Sequence, residues 1–112
     1  MPVNKPVQKC AAGYDYILML SAQSLFCYFQ SAIYHLSHFQ NVVDIATTDN
    51  MIVVVTADGV ATIAEFNADK IITGELTYSK IQIKQKVVKV FMNYGEIFLL
   101  NDSQQILHLK RN

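Results

Sequence analysis

His35 and His38 form a His-Leu-Ser-His pair, with Cys27 a short distance upstream. Cysteine and histidine at short spacing are the ligands that zinc takes. This set lacks a second cysteine pair and a helix bearing both imidazoles, so an ordinary loop or strand-edge placement is expected for both histidines. His108 alternates with Leu107 and Leu109, the pattern of a solvent-facing strand residue. Cys10 and Cys27 would be nucleophiles only beside a general base. Nothing near either in sequence supplies a histidine with an orienting carboxylate. Both sit in apolar surroundings and are expected to be buried free thiols, unpaired with one another.

The carboxylates Asp44, Asp49, Asp58, Glu65 and Asp102 are scattered and fall mostly in turn contexts, where aspartate serves the backbone. No two are spaced as an acid–base couple on one element. Gly13, Gly59, Gly74 and Gly95 are isolated turn glycines, with no phosphate-cradling run. No catalytic, cofactor-binding or metal-ligating residue is assigned, and no enzymatic activity or cofactor is expected. Lys80, Lys84, Lys86 and Lys89 are expected on alternating strand positions, as a small positive stripe that guards a sheet edge.

Those residues need elements to position them, and the composition bounds what the elements form. The 112 residues are 52% hydrophobic and 16% charged, which suits one folded domain. Nine basic residues balance nine acidic ones, so no overall field draws the chain to nucleic acid or to an anionic membrane. The start MPVNKPVQKC has no apolar core of signal-peptide length. The most apolar stretch, around residues 14–29, is broken by Ser21, Gln23 and Ser24 and is too short to span a bilayer. A soluble chain of the cytoplasm or nucleus is the expectation.

Helical periodicity is weak, and helix is expected at most within Ala22 to Phe39. The rest reads as short β-branched or aromatic runs between turn residues: Tyr16–Ser21, Leu25–Phe29, Val42–Thr47, Met51–Thr56, Val60–Phe66, Lys80–Lys84, Val87–Met92, Glu96–Asn101 and Gln105–Lys110. Asp58–Gly59, between MIVVVTA and VATIAEF, predicts a two-residue hairpin turn with Gly59 at positive φ, a conformation asparagine also tolerates. Asn101–Asp102–Ser103, Tyr94–Gly95, Thr48–Asp49–Asn50 and Gly13–Tyr14–Asp15 supply further turns.

The order of these pieces repeats. VVDIATTDNMIVVVT (42–56) aligns without a gap on VVKVFMNYGEIFLLN (87–101), 45 residues on. VQKCAAGYDYILMLS (7–21) fits the same frame 35 residues earlier, placing Cys10 on Ile45 and Ser24–Leu25 on Gly59–Val60. An internal repeat of this period predicts a solenoid or a propeller. The central runs ILML, IVVV and IFLL are apolar on both faces, as strands sandwiched between sheets are. The fold class expected is all-β: about three antiparallel propeller-type blade units (7–29, 42–66, 87–111) in an incomplete β-propeller, with a small β-sandwich or barrel as the alternative.

Three segments carry a family resemblance. CAAGYDYILMLS keeps a glycine as Gly13, IATTDNMIVVVTADGVAT keeps an Asp-Gly hairpin as Asp58–Gly59, and VFMNYGEIFLLNDSQQIL keeps the apolar frame. Together they resemble repeats of the regulator of chromosome condensation family. Thr48 and Asn93 stand where the family has glycine, and Tyr16, Met51 and Glu96 stand at its frequent histidine. The resemblance implies blades of a seven-bladed propeller serving as a protein-interaction module, in a guanine-nucleotide exchange factor for a small GTPase or in a scaffold. The partners it implies are another protein or further propeller blades, since three units do not close such a ring. The alternative is a small independent all-β protein that binds a ligand or a second copy of itself.

Overall fold

The computed structural model describes residues 6–94 and 96–110. Gly95, expected in the turn after Tyr94, and Arg111, expected at the end of the third unit, lie outside the described residues. Among the described residues eleven strands form three antiparallel sheets. The first sheet holds β1 (Lys9–Ala12), β2 (Ile17–Ser21), β3 (Ser24–Phe29) and β4 (Ala32–His35), in chain order. The second holds β5 (Val42–Thr48), β6 (Met51–Thr56), β7 (Ala61–Glu65) and β8 (Tyr78–Lys80). The third holds β9 (Val87–Asn93), β10 (Glu96–Asn101) and β11 (Ile106–Lys110). Neither a closed barrel nor a two-layer sandwich describes this arrangement; the sheets stack like consecutive blades.

The 45-residue repeat holds strand for strand. β9, β10 and β11 lie 45 residues after β5, β6 and β7. The irregularities repeat too. Pairing slips between Val42 and Asp44 in β5, and at the matching Val87 and Lys89 in β9. The extra residue bends the strand and sharpens its twist, as a β-bulge does.

The hairpin at Gly59 is one residue longer than the sequence suggests. Gly59 N–H donates to the Thr56 carbonyl (2.9 Å) and Thr56 N–H to the Val60 carbonyl (3.0 Å). With Gly59 at φ 86°, this is a three-residue turn closed by a glycine bulge. Gln104 N–H and Asn101 N–H repeat both bonds in the third sheet, with Gln104 at φ 63°. The first sheet instead uses a two-residue turn, Ala22–Gln23, with φ 51° and 65°. Ser24 therefore matches Val60, one residue off the gapless alignment.

Other expectations need correction. The run Lys80–Lys84 is not a strand: β8 ends at Lys80, so Lys80, Lys84, Lys86 and Lys89 do not share one element. Ala22 to Phe39 is extended. The helix is α1 (Ala68–Thr73), capped by the Asn67 side chain, which accepts from Lys70 N–H (3.2 Å), and closed by Gly74 at φ 80°. It buries Ile71.

Two apolar layers fill the gaps between sheets. Leu18, Leu20, Leu25, Cys27 and Phe29 face Ile45, Ile52, Val54, Ala64 and Phe66. On its other side the second sheet presents Val53, Val55 and Ala61 to Val87, Val90, Ile97 and Leu99 of the third. β6 is thus buried on both faces, as its sequence predicts. β2 and β10 have only one face against a neighbouring sheet. Each fully buried Leu, Ile or Val contributes roughly 1.5–3 kcal/mol relative to exposure.

Candidate functional site

The histidine–cysteine set does not assemble. His35 lies opposite Phe26 in register while Cys27 lies opposite Tyr34, so the imidazole and the thiol point to opposite faces of one sheet. His35 stacks on Phe26 at 4.8 Å, and His38 packs edge-on against Tyr78 at 5.9 Å. Among the described residues no three His, Cys, Asp or Glu side chains are grouped to hold a metal ion. Burial pushes the Cys27 thiol up to about 12, which keeps it protonated and unreactive. Cys10, expected buried, is exposed because it faces away from the second sheet on the edge strand β1. His108 is exposed, as read from its alternation, and its Nε2 lies 2.8 Å from Glu96 Oε2.

Asp58 serves a turn. Its carboxylate accepts from the Thr56 hydroxyl and from Val60 N–H, and the Thr56 bond chiefly holds its pKa below the ordinary value. Asp44 does not serve a turn. It is buried in β5, where Oδ1 meets the Lys9 ammonium (2.5 Å) and Oδ2 accepts from Val90 N–H (2.8 Å). One carboxylate therefore joins β1, β5 and β9, the first strands of all three sheets. Sequence reasoning missed this because the partners lie 35 and 46 residues away. The signal was the repeat itself, which places Lys9, Asp44 and Lys89 at one position.

Side chains that could meet a partner gather on one rim, at the turns between the first and second strands of each sheet. Tyr14, Asp49 and Tyr94 occupy the same repeat position there. Tyr14 and Tyr94 are 82% and 81% exposed, far more than a tyrosine needs for solvation of its hydroxyl. Asp49 and Tyr94 sit at φ 50° and 55°, the left-handed conformation of a tight turn tip. Tyr14 N–H donates to the Asp49 carbonyl (3.1 Å), tying the first turn to the second.

Below the tips lies a groove of about 490 Å³. Met51, Ile63 and Ala64 wall it, Asp49 and Glu65 supply acceptors, and Tyr78 and Tyr94 flank it. The rim rests on rigid packing. Tyr16 stacks flat on Phe66 at 4.0 Å, and its hydroxyl lies 2.5 Å from Thr47 Oγ1, which donates in turn to the Met51 carbonyl. Burial pushes the Tyr16 phenol up to about 12, so it stays neutral. Gly13 lies against that ring: a Cβ there would fall 2.1 Å from Tyr16 Cζ, so the glycine is required by contact. The arrangement offers aromatic faces and fixed hydrogen-bonding groups on a packed frame.

No protein-family model matches the chain. No curated protein matches it either. Solved structures do. The chain is similar to Prp20p from Saccharomyces cerevisiae, in a structure reported with its binding properties to Gsp1p and histones, at TM-score 0.70 and 14% identity over 96% of this chain and 31% of that one. It is similar to the N-terminal domain of Nup159 at TM-score 0.64 and 14% identity, covering 86% of this chain and 28% of that one. BamB from Moraxella catarrhalis matches at TM-score 0.65 and 13% identity, covering 91% and 30%. The chain spans about a third of the length of each. At these identities the likeness concerns the fold: three consecutive antiparallel blades of the propeller kind.

Proposed function

We propose that this chain is a propeller-type protein-interaction module, without catalytic activity of its own, whose contact surface is the rim bearing Tyr14, Asp49 and Tyr94. The observation that carries the reading is the pair of largely exposed tyrosines in equivalent turns, of which Tyr94 flanks the groove. Tyrosine offers large, rigid, amphipathic contact area at low entropic cost and is enriched at binding interfaces. Loops held by a packed scaffold are where such surfaces reside. Asp49 and Glu65 accept hydrogen bonds, so the groove suits a partner segment that presents donors.

The chain's resemblance to chromosome-condensation-regulator repeats points the same way, to a scaffold or to a regulator of a small GTPase in the nucleus or cytoplasm. The similarity to Prp20p, reported with its binding properties to Gsp1p and histones, supports a protein as the partner. Among the described residues no helix is long and apolar enough to cross a membrane.

Affinity purification with the wild type and with a Tyr14→Ala/Tyr94→Ala double variant tests this. Removal of two central aromatic anchors should weaken partner binding by tenfold or more, since truncating a hot-spot residue costs about 2 kcal/mol or more. The melting temperature should be unchanged, because both side chains are in solvent. Full partner recovery by the double variant would refute the assignment of the rim.

A further inference from the structure

The charges of this chain balance in number but are divided in space. Asp15, Asp49, Glu65, Asp69 and Glu96 stand at the rim end, against Lys70 and Lys110. Lys84, Lys86 and Lys89 stand toward the opposite end, against Asp58 and Asp102. The rim therefore carries a negative field, which draws and orients a basic partner segment.

Between the first and second sheets the rim holds a shallow recess of about 380 Å³. Both of these sheets are four-stranded. Tyr14 and Asp15 line it from the first turn, Asn50 and Phe66 from the second sheet, and Asp69 from α1. Phe66 is buried and stacked on Tyr16, so the recess has an apolar floor. Tyr14 N–H donates to the Asp49 carbonyl (3.1 Å) and Phe66 N–H to the Asn50 carbonyl (2.6 Å), which ties its sides together. The Asn67 side chain, also in the lining, is engaged by Lys70 N–H. The charged lining is Asp15 and Asp69, both exposed. Among the described residues no cationic group lies within ion-pair distance of either.

Two carboxylates beside an exposed tyrosine call for a cation with a flat face. A metal ion takes more ligands than these, and among the described residues no three are grouped to hold one. A lysine ammonium is a compact, strongly hydrated point charge with no plane to stack. A guanidinium is planar and weakly hydrated, lies against aromatic rings, and donates several N–H bonds to carboxylates at once.

We propose that this recess is the seat of an arginine side chain from the partner protein, with Tyr14 against the guanidinium plane and Asp15 and Asp69 as its acceptors. This rests on the reading of the rim as the contact surface, and it names the residue that the partner brings there.

The test is titration of the isotope-labelled full chain with a capped Gly-Arg-Gly peptide, followed by amide chemical shifts, beside Gly-Lys-Gly and Gly-citrulline-Gly. The arginine peptide should shift the amides of Tyr14, Asp15, Asn50 and Asp69. Its affinity should fall about fivefold or more in Asp15→Asn/Asp69→Asn, as the loss of two exposed charge pairs implies, with the melting temperature unchanged. The citrulline peptide, of the same shape without the charge, should bind no better to wild type than the arginine peptide does to that variant. Shifts elsewhere, no shifts at millimolar peptide, or equal binding of the citrulline peptide overturns the proposal. Equal binding of the lysine peptide overturns the guanidinium assignment. Affinity purification separates this from the rim reading. A partner kept by Asp15→Asn/Asp69→Asn but lost by Tyr14→Ala/Tyr94→Ala sinks the arginine seat and leaves the rim, and the reverse pattern sinks the rim and leaves the seat.

Discussion

Replacing Asp44 by alanine should destabilise the chain by about 2–4 kcal/mol. That figure is the loss of one buried charge-assisted hydrogen bond, about 1.5–3 kcal/mol, and of one ion pair with a half-exposed lysine, about 0–1 kcal/mol. The hydrogen bond is the Asp44 Oδ2 contact to Val90 N–H at 2.8 Å, made where Asp44 is 6% exposed. The ion pair reaches a Lys9 side chain that is 40% exposed, so solvent screens it. Alanine also leaves the Val90 N–H without its acceptor inside the stack, which places the cost toward the upper end. Lys9→Ala removes only the screened half and should cost about 1 kcal/mol or less. Asp44→Asn keeps an acceptor of the same shape and should fall between the two. Urea unfolding followed by circular dichroism gives the three values, with the denaturant slope checked for constancy. If Asp44→Ala unfolds within about 0.5 kcal/mol of wild type, the carboxylate does not join the three inner strands and the reasoning fails.

Gly59→Ala should cost at least about 2 kcal/mol, because left-handed backbone penalises any Cβ by about 1–2 kcal/mol and this Cβ would also lie 2.2 Å from Lys86 Cγ and 3.1 Å from Lys86 Cα. Asparagine carries the same Cβ, so Gly59→Asn is not the mild change that φ alone suggests. Gln104→Gly, at the matching turn of the third sheet, should instead be neutral or stabilising by up to about 1 kcal/mol; equal losses at the two sites in a melting comparison would contradict the account of the bulge. Replacing Ala22–Gln23 by Asn-Gly should raise stability by about 1 kcal/mol, since both residues now hold φ above 50° without being glycine or asparagine; an unchanged unfolding midpoint would count against strain in that turn. The lowered Asp58 pKa means its carboxylate stabilises the fold fully above the ordinary aspartate value near pH 4, and this contribution is lost as the pH falls through the lowered value. Stability profiles between pH 2 and 5 should therefore be flatter for Asp58→Asn than for wild type, and parallel profiles would show that Asp58 is not the titrating group.

What the sequence disclosed was local. The long strands are β-branched or aromatic runs, and β5, β6, β9 and β10 are bounded by Gly, Asn or Asp, signals that need no knowledge of distant residues. The gapless 45-residue match predicted the correspondence of β5 to β9 and of β6 to β10, and the bulges fall at matching residues because Val42 and Val87 end the same kind of hairpin. Elements without that signature were missed. β4 is a short edge strand, half-buried at Ala32, Ile33 and Tyr34, with too few residues to show alternation. α1 spans six residues, less than two turns, so no apolar period could establish it. Its caps were nonetheless present, as Asn67 and Gly74 seven residues apart. Cys10 was misplaced because an apolar neighbourhood does not say which face of an edge strand a residue takes. The rim was overlooked for a related reason: an exposed tyrosine and a core tyrosine look alike in sequence, and only the alignment of Tyr14 and Tyr94 on Asp49 marks them as turn tips.

Among the described residues the two end faces of the stack are covered by no further sheet. Ile17 and Tyr28 on the outer face of the first sheet are 40% and 41% exposed, and Phe91 and Ile106 on the outer face of the third are 52% and 67% exposed. Three sheets stacked in one sense point these faces away from one another, and the second sheet stands between them. Among the described residues neither end face is therefore buried on the other. The repeat keeps the positions between sheets apolar, which secures the stacking, and varies two others: the turn tip, as Tyr14, Asp49 and Tyr94, and the inner-strand charge, as Lys9, Asp44 and Lys89. Variation at the tips gives the rim a surface of its own. Variation at the inner strand ties the sheets together, because Lys9 meets Asp44 across the first gap and Asp44 accepts from Val90 N–H across the second.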